Sequence, residues 1–489
     1  MQWGRSDVMK TIAIIGAGFS GTLLSLHLLR QCPPETKLIL IERNSQFGRG
    51  LAYATGNPSH ILNVPAGRMS AFHDRPDDFL NWLTSQPDSS SSAAHSFAPR
   101  QKFGAYIRAL LNDEIKRSGR ERLELVKGDV IGLDRTATPI RLTLQRDRSI
   151  EADCVVLAVG NFPPAPVPVA NAGFYDTPCY RPDPWAADAI TDLDPQAPVL
   201  LLGTGLTMVD VTISLLDQGH RGPIIALSRR GLLPRRHTAV PAPATEHAPF
   251  PTAVNALARF IRQQTRHATD QGGSWQPIID ELRPFTVDVW QTMPLRDRAR
   301  FLRHLRPWWD VHRHRMAAQV ADRIEAAGAG GQLTIVSGRV RDYDLRPQMV
   351  RIHYRPRGQQ SEATVDVVRV INCAGPGADY DRIADPLIRS LLQHGVVRPD
   401  PLRLGLDVTG NCALLHKDGA ISRRLFAVGP VTKGTFWEMT AVPDIRRQTE
   451  KLAEYLAALV KAAPARPRAP EPATAESATA GTPPFRPAE

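Results

Sequence analysis

Cysteine is scarce: the 489 residues include five, Cys32, Cys154, Cys179, Cys373 and Cys412, with no CxxC pair and no metal-ligand spacing. That scarcity argues against a disulfide framework, a zinc ribbon and a dithiol redox centre. Acidic residues are in deficit as well, 49 Asp plus Glu against 60 Lys plus Arg, for a formal charge of +11. The excess is compatible with nucleic acid, a membrane surface, an anionic small molecule or only a basic solvated face. Long apolar runs are missing too. The longest, residues 11–29, is interrupted by GAGFSG and His27 and carries no cleavage site. It reads as a buried strand and helix, so the expected compartment is the cytoplasm and no membrane partner is expected. What remains is enough chain for about two to four domains, which excludes disorder of the whole.

The pattern of apolar runs is that of an open α/β protein. Residues 11–15 form a β-branched run ending in a glycine turn, 22–29 have a helical pattern, and 37–41 close a βαβ unit. The same punctuation returns at 198–202, GTG at Gly203 to Gly205, a helical 206–216 and a strand at 224–227. Residues 153–159, 365–372 and 425–429 read as further buried strands, with a proline-laden crossing over 162–184. The fold class is therefore α/β with two Rossmann-like dinucleotide-binding domains. The first is expected to be discontinuous, 10–165 and 370–460; the second spans 197–369 with a helical insertion at about 240–330. The serine-rich stretch at 88–94 and the Pro/Ala-rich tail at 462–489 are too polar to pack and are assigned to solvent.

Gly16, Gly18 and Gly21 follow the first strand and open a helix, the arrangement that turns tightly, admits a pyrophosphate to backbone N–H groups and lets helix and strand pack closely. Glu42 ends the next strand, 21 positions beyond Gly21, where a carboxylate accepts ribose hydroxyls. The second motif keeps Gly203 and Gly205 but has Met208 at the third position, and its following strand ends in Ser228, Arg229 and Arg230 rather than an acid. Cations there suit a 2'-phosphate and favour NADPH; the plainer reading is an exposed strand end. A nicotinamide donor needs a resident acceptor, so the pair of units suggests a flavin plus a nicotinamide.

At this point the chain resembles the two-dinucleotide-domain flavoproteins of the glutathione-reductase kind. More narrowly it resembles the FAD/NAD(P)-binding family related to class B flavin monooxygenases. The resemblance is carried by FGRGLAYATGNPSHILNVPAGRMSAF at 47–72, VVLAVGN at 155–161, GTGLTMVD at 203–210, SRRGLLPR at 228–235, FLRHLRPWWDVHRHR at 301–315, INCAGP at 371–376 and LFAVGPVTKGTFWEMTAVPDIRRQ at 425–448. It implies FAD on the first domain and NAD(P)H on the second, and an oxygenase working through a flavin C4a-peroxide or hydroperoxide. The cofactor contacts it implies are Gly16, Gly18, Gly21, Glu42, Arg43, Gly50, Asn63, Gly160, Gly203, Gly205, Ser228, Arg229, Arg230, Gly375 and Gly429. One departure stands out: where ketone-oxidising and N-hydroxylating relatives often carry glycine, histidine and an aromatic, this chain has GFYDTPCYRPDPW at 173–185, without histidine.

His60, Asn63, Arg68 and Arg100 are the candidate catalytic residues, the first two as hydrogen-bonding partners of the flavin ring or substrate, the arginines as holders of an anion. A satisfied turn and surface arginine are the alternatives. His304, His312 and His314 do not fall on one helical turn, so no metal is expected. Trp308 and Trp309 read as core or as a lid on the cofactor. The basic 296–315 run, broken by apolar residues, reads as a half-buried helix, and nucleic acid is not expected as a partner. Some members of the resembled family are of a urate hydroxylase type, and the urate anion suits a positive chain. N-hydroxylation of an amine or amino acid, and a non-oxygenating NAD(P)H:acceptor reaction, are the alternatives.

Overall fold

The computed structural model describes residues 10–87, 93–238 and 250–462. The expected tail lies outside the described residues except for Ala462, and so does most of the 88–94 stretch.

The chain begins β1 (Thr11–Ile15), α1 (Phe19–Gln31), β2 (Lys37–Glu42), and then passes through α2 (Gly50–Tyr53), α3 (Asp78–Thr84) and α4 (Arg100–Ser118) to β3 (Leu123–Lys127). A three-stranded antiparallel excursion, β4 (Val130–Asp134), β5 (Ile140–Leu144) and β6 (Arg148–Ala152), precedes β7 (Cys154–Leu157). The second sheet opens with the short β8 (Tyr180–Arg181) and continues β9 (Val199–Leu202), α5 (Leu206–Asp217), β10 (Ile224–Ser228). Five helices intervene, α6 (Val254–Asp270), α7 (Gln276–Leu282), α8 (Thr286–Thr292), α9 (Leu295–Arg300) and α10 (Arg306–Arg313), before α11 (Ala318–Ala329). Next come β11 (Leu333–Arg346), β12 (Met349–Pro356), β13 (Ala363–Val367), β14 (Arg369–Asn372), α12 (Pro386–Gln393), β15 (Ala413–Leu415), β16 (Ile421–Ala427) and α13 (Val442–Ala462).

The first sheet has the order β15-β16-β7-β1-β2-β3, parallel except for β15. Its central strands are apolar at nearly every position because helices cover one face and the β4–β6 layer with α12 the other. The register aligns Ile15 with Ile41 and Leu157, and Leu157 with Ala427. Gly16, Glu42, Ala158 and Val428 thus lie just beyond one common edge, the carboxyl edge at which open α/β sheets take ligands. The second sheet, β13-β12-β11-β10-β9-β14-β8, repeats this, with Leu202 level with Leu227 and Asn372.

Two expectations about extent are corrected. Residues 365–372, read as one strand, belong to two, β13 and β14, and β14, whose residues 370–372 were placed in the first domain, pairs with β9 in the second sheet. The chain returns only after Asn372. Helix α11 is not part of the insertion: Ala321, Ile324 and Ala327 pack into the core of the second sheet, as a crossover between β10 and β11 must. Helix α6 opens the insertion; its Val254 and Leu257 are buried on one face.

The insertion does not stand apart. Its core, with Val254, Leu257, Trp290, Met293 and Trp309, also takes in Leu404 and Trp437 from the returning segment. Trp290 Nε1 donates to the Gly434 carbonyl at 2.8 Å, and Trp290 stacks on Trp437 with centroids 4.7 Å apart. The helices therefore roof the first domain beside its carboxyl edge.

Candidate functional site

The two glycine turns are built alike. Gly16 has φ +104, and a Cβ there would lie 2.3 Å from the Ala158 carbonyl oxygen; Gly203 has φ +112, and its Cβ would lie 2.4 Å from the Cys373 carbonyl oxygen. In each, the turn is pressed against the end of the neighbouring parallel strand and only glycine fits. Gly21 packs for the expected reason, a Cβ falling 1.9 Å from Gly16 O, while Met208 at the equivalent place in α5 is fully buried and fills the extra space. Gly18 and Gly205 begin α1 and α5 with no side-chain cap, leaving the first N–H groups of each helix for an anion. Gly50 approaches Gly18 so closely that a Cβ on it would be 2.9 Å from Gly18 Cα.

Glu42 accepts from the Ala17 N–H through Oε2 at 2.9 Å and from the Asn44 N–H through Oε1 at 3.0 Å. Each oxygen retains a lone pair for a ribose hydroxyl. Ser228 braces the second turn, its hydroxyl 2.9 Å from Thr204 Oγ1 and accepting from the Gly231 N–H at 3.0 Å. Arg229 is exposed and Arg230 half-buried, and neither has a hydrogen bond or ion pair among the described residues. Gly160, Gly375 and Gly429 all take positive φ at strand ends, and Gly429 N–H donates to Gln448 Oε1 at 2.8 Å. Arg43 points elsewhere: it pairs with Asp385, the N-cap of α12, at 2.7 Å and with Asp129 at 3.4 Å, tying β2 to α12.

Two candidate catalytic residues are fasteners between the domains. Arg100 is bound by both oxygens of Asp210, at 2.8 and 3.1 Å, and the side chains are only 14% and 8% exposed. His60, buried, has Nε2 at 2.8 Å from Ser214 Oγ and Nδ1 at 2.7 Å from Thr55 Oγ1. Burial pushes its pKa down, against Asp210, so it is neutral at pH 7. Asn57 Nδ2 donates to Asp217 at 3.0 Å. Asp210, Ser214 and Asp217 are spaced along one face of α5, so the first domain grips the helix that starts at Gly205. The anion-holding role expected of Arg100 is taken up by that grip. Asn63 receives a hydrogen bond on its backbone carbonyl from His237 Nε2 at 3.0 Å, while its side-chain amide has no partner among the described residues. Arg68 is exposed and likewise unpaired.

The sequence reading missed a charged cluster where the insertion meets the returning segment. Arg313, 6% exposed, has Nε at 3.3 Å from Glu438 Oε2, yet neither atom has a hydrogen-bond partner, nor does Arg313 Nη2. Arg283 Nη2 and Asp444 Oδ2 face each other at 3.8 Å in the same unsatisfied state. Burial alone would raise the Glu438 carboxyl, but His314, Arg313 and the 2.8 Å bond from Trp309 Nε1 hold it well below the usual carboxylate range. Burial, then Arg313, brings Arg283 down to about 10, and Arg68 adds to that effect. Buried polar atoms without partners are rare in folded proteins. Here donors and acceptors converge. The only sequence signal was the density of arginine in the 296–315 run, which read as a half-buried helix without showing which arginines are covered. His312 caps locally on the Trp308 carbonyl and His314 lies 3.6 Å from Glu438, so the three histidines of that run do not converge.

Residues 13–162 match the family model described as FAD-NAD(P)-binding. This segment is thus similar to FAD/NAD(P)-binding domains. Solved structures with the same two-domain fold include a cadaverine monooxygenase of desferrioxamine biosynthesis from Erwinia amylovora, bound to FAD. It is 14% identical, covering 96% of this chain and 99% of that one, with a TM-score of 0.62. Ornithine N-hydroxylase from Kutzneria sp. 744 is 13% identical over 92% and 99%, TM-score 0.60, and Lactococcus lactis thioredoxin reductase 10% over the same shares, TM-score 0.51. A curated Escherichia coli K12 protein, uncharacterized protein YdhS, is 24% identical over 269 residues, 48% of this chain and 48% of its own length. The match therefore spans about half of that relative. Among the described residues, no helix is long and apolar enough to cross a membrane.

Two outcomes follow from these placements. Arg100→Leu alone strands a buried Asp210 and is expected to cost about 3–5 kcal/mol in urea unfolding, whereas Arg100→Leu with Asp210→Leu costs far less; an unchanged urea midpoint in the single variant would show that Arg100 is not a fastener. His27 and His237 are each lowered from 6.5 to about 4, by burial first and then by neighbouring arginines. The unfolded chain therefore binds more protons than the folded one between those values. Their stabilising contribution is complete above pH 6.5 and is lost as pH falls toward about 4. The urea midpoint should drop across that window, and less so in His237→Asn.

Proposed function

We propose that the protein is an FAD-dependent, NAD(P)H-consuming monooxygenase of a small anionic substrate, with urate, converted to 5-hydroxyisourate, as the first candidate. The observation that carries oxygenation over thiol reduction, which shares this architecture, is the state of the cysteines. Cys32, Cys154, Cys373 and Cys412 are buried, and desolvation raises each thiol, Cys32 to about 11. Cys179 is partly exposed and has no cysteine beside it in sequence. A relay of electrons through a reactive thiolate pair has no residues to use.

The turns fit the cofactors: the glycine cradles, the uncapped starts of α1 and α5 and the acceptor at Glu42 are what a dinucleotide needs. Bound FAD supplies the acceptor for a hydride from NAD(P)H and the activation of dioxygen. The chain's own part is positioning. The Gly16–Gly18 turn and the α1 N-terminus hold the FAD pyrophosphate and Glu42 its ribose, with Gly50, Asn63, Gly160 and Gly429 beside them, while Gly375 follows β14 at the edge of the second sheet. Gly203, Gly205 and Ser228 hold the second nucleotide, and Arg229 and Arg230 take a 2'-phosphate. Arg283 and Arg313, with Arg68 at the rim, fix the substrate anion, and Glu438 accepts from its N–H groups. Burial of this cluster excludes water and strengthens each charge-assisted bond.

A second reading, N-hydroxylation of an amine or amino acid, is favoured by the carboxylates Glu438 and Asp444, which suit an ammonium. Flavin-loaded enzyme assayed with urate and with amines, counting NADPH consumed and peroxide released, separates the two. Urate should stimulate NADPH oxidation and suppress peroxide, and Glu438→Gln should raise its KM by about tenfold or more. Stimulation by amines and not urate transfers the assignment, and oxidation that needs only an anaerobic acceptor removes oxygenation altogether. Replacing Arg229 and Arg230 by Ala should raise KM for NADPH at least about tenfold and leave KM for NADH nearly unchanged; equal effects would remove the 2'-phosphate role.

A further inference from the structure

The helical insertion contains a cavity of about 810 Å³ between α6 and the layer formed by α7–α10. Its volume lies in the range of small-molecule sites, roughly 300–1,000 Å³. Five of the chain's eight tryptophans line it, Trp275, Trp290, Trp308, Trp309 and Trp437, together with Leu257 and Ile261. The indole floor is held in place from below: Trp290 and Trp309 spend their N–H groups on the Gly434 carbonyl and on Glu438, and Lys433 Nζ sits 4.9 Å from the Trp437 ring. What faces the cavity is therefore ring surface, which suits an apolar body.

The mouth has the opposite character. A second hollow, sharing Ala258, Arg262, Arg266 and His304 with the first, is lined by Arg259, Arg262, Arg266 and Arg300, with Asp270 the single carboxylate. Arg259, Arg262 and Arg266 follow each other at three and four positions on α6, so they share a face, and none has an ion pair or hydrogen bond among the described residues. Arg300 has only the 3.6 Å contact to Asp297. Four guanidiniums around an indole-lined chamber complement a molecule that is apolar along its length and anionic at one end.

We propose that this cavity binds an amphipathic carboxylate of small-molecule size, its chain against the tryptophans and its head among Arg259, Arg262 and Arg266. The site is separate from the Arg313–Glu438 cluster and does not rest on the urate reading. Decanoate, titrated into the full-length protein below its micelle concentration, should change tryptophan emission saturably. Decyltrimethylammonium, of equal chain length, should bind at least about tenfold more weakly. Ala258→Trp, which fills the chamber, should abolish the response, and Arg262→Glu with Arg266→Glu should weaken decanoate about tenfold or more, all with flavin content unchanged. Absence of a saturable change, equal binding of the cationic amphiphile, or full affinity in the double charge reversal would each overturn the proposal. If Ala258→Trp fails to fold by circular dichroism, the charge reversal decides alone, because both its side chains are exposed.

Discussion

The grip of the first domain on α5 is the constraint on which the rest of the site depends. Two dinucleotide folds can act on one another only if their carboxyl edges are held face to face, and neither sheet can do that alone. Arg100, His60 and Asn57 bind Asp210, Ser214 and Asp217 along one helical face. The Arg100–Asp210 pair is nearly dry, so it resists screening and is costly to break from one side. A neutral His60 suits the same surroundings, since a charged imidazole there would be desolvated. The helix so gripped starts at the second glycine turn, so the grip fixes that turn relative to the first.

Beyond that grip, the geometry of the edge follows from register. Parallel pairing brings Ile15, Ile41, Leu157 and Ala427 level, and the residues just past them, including Gly16 and Glu42, can then serve one ligand. The second sheet repeats the solution with a different third position. Met208 substitutes volume for the close approach that a glycine would permit, and α5 correspondingly has room to present Asp210 and Ser214 to the neighbouring domain.

The insertion closes the third side. By packing Trp290 and Trp309 onto the 433–438 segment it brings Arg283, Arg313 and the carboxylates Glu438 and Asp444 together, four charges from elements far apart in the chain. Their mutual hydrogen bonding is poor, and the neighbouring Arg315, whose terminal nitrogens reach Gln276 and Asp280, also leaves its buried Nε without a partner.

The sequence by itself determined the two βαβ units, the need for glycine at Gly16 and Gly203, the carboxylate at Glu42 and the cations at Arg229 and Arg230. All are local: a turn, a strand end and a helix start express themselves within about 30 residues, and their backbone demands restrict residue type directly. Tertiary structure decided the rest. Arg100 and His60 read as site residues because an arginine or histidine near a cofactor motif looks the same whether it meets a ligand or a helix 110 to 150 positions away. The end of β14 fell to the wrong domain because a buried strand carries no label for its neighbour. The Arg313–Glu438 cluster could not be assembled from the sequence, since its members are joined by packing and not by spacing; the half-buried helix read at 296–315 did not say which arginines are covered, and only burial in the tertiary structure sets Arg313 apart.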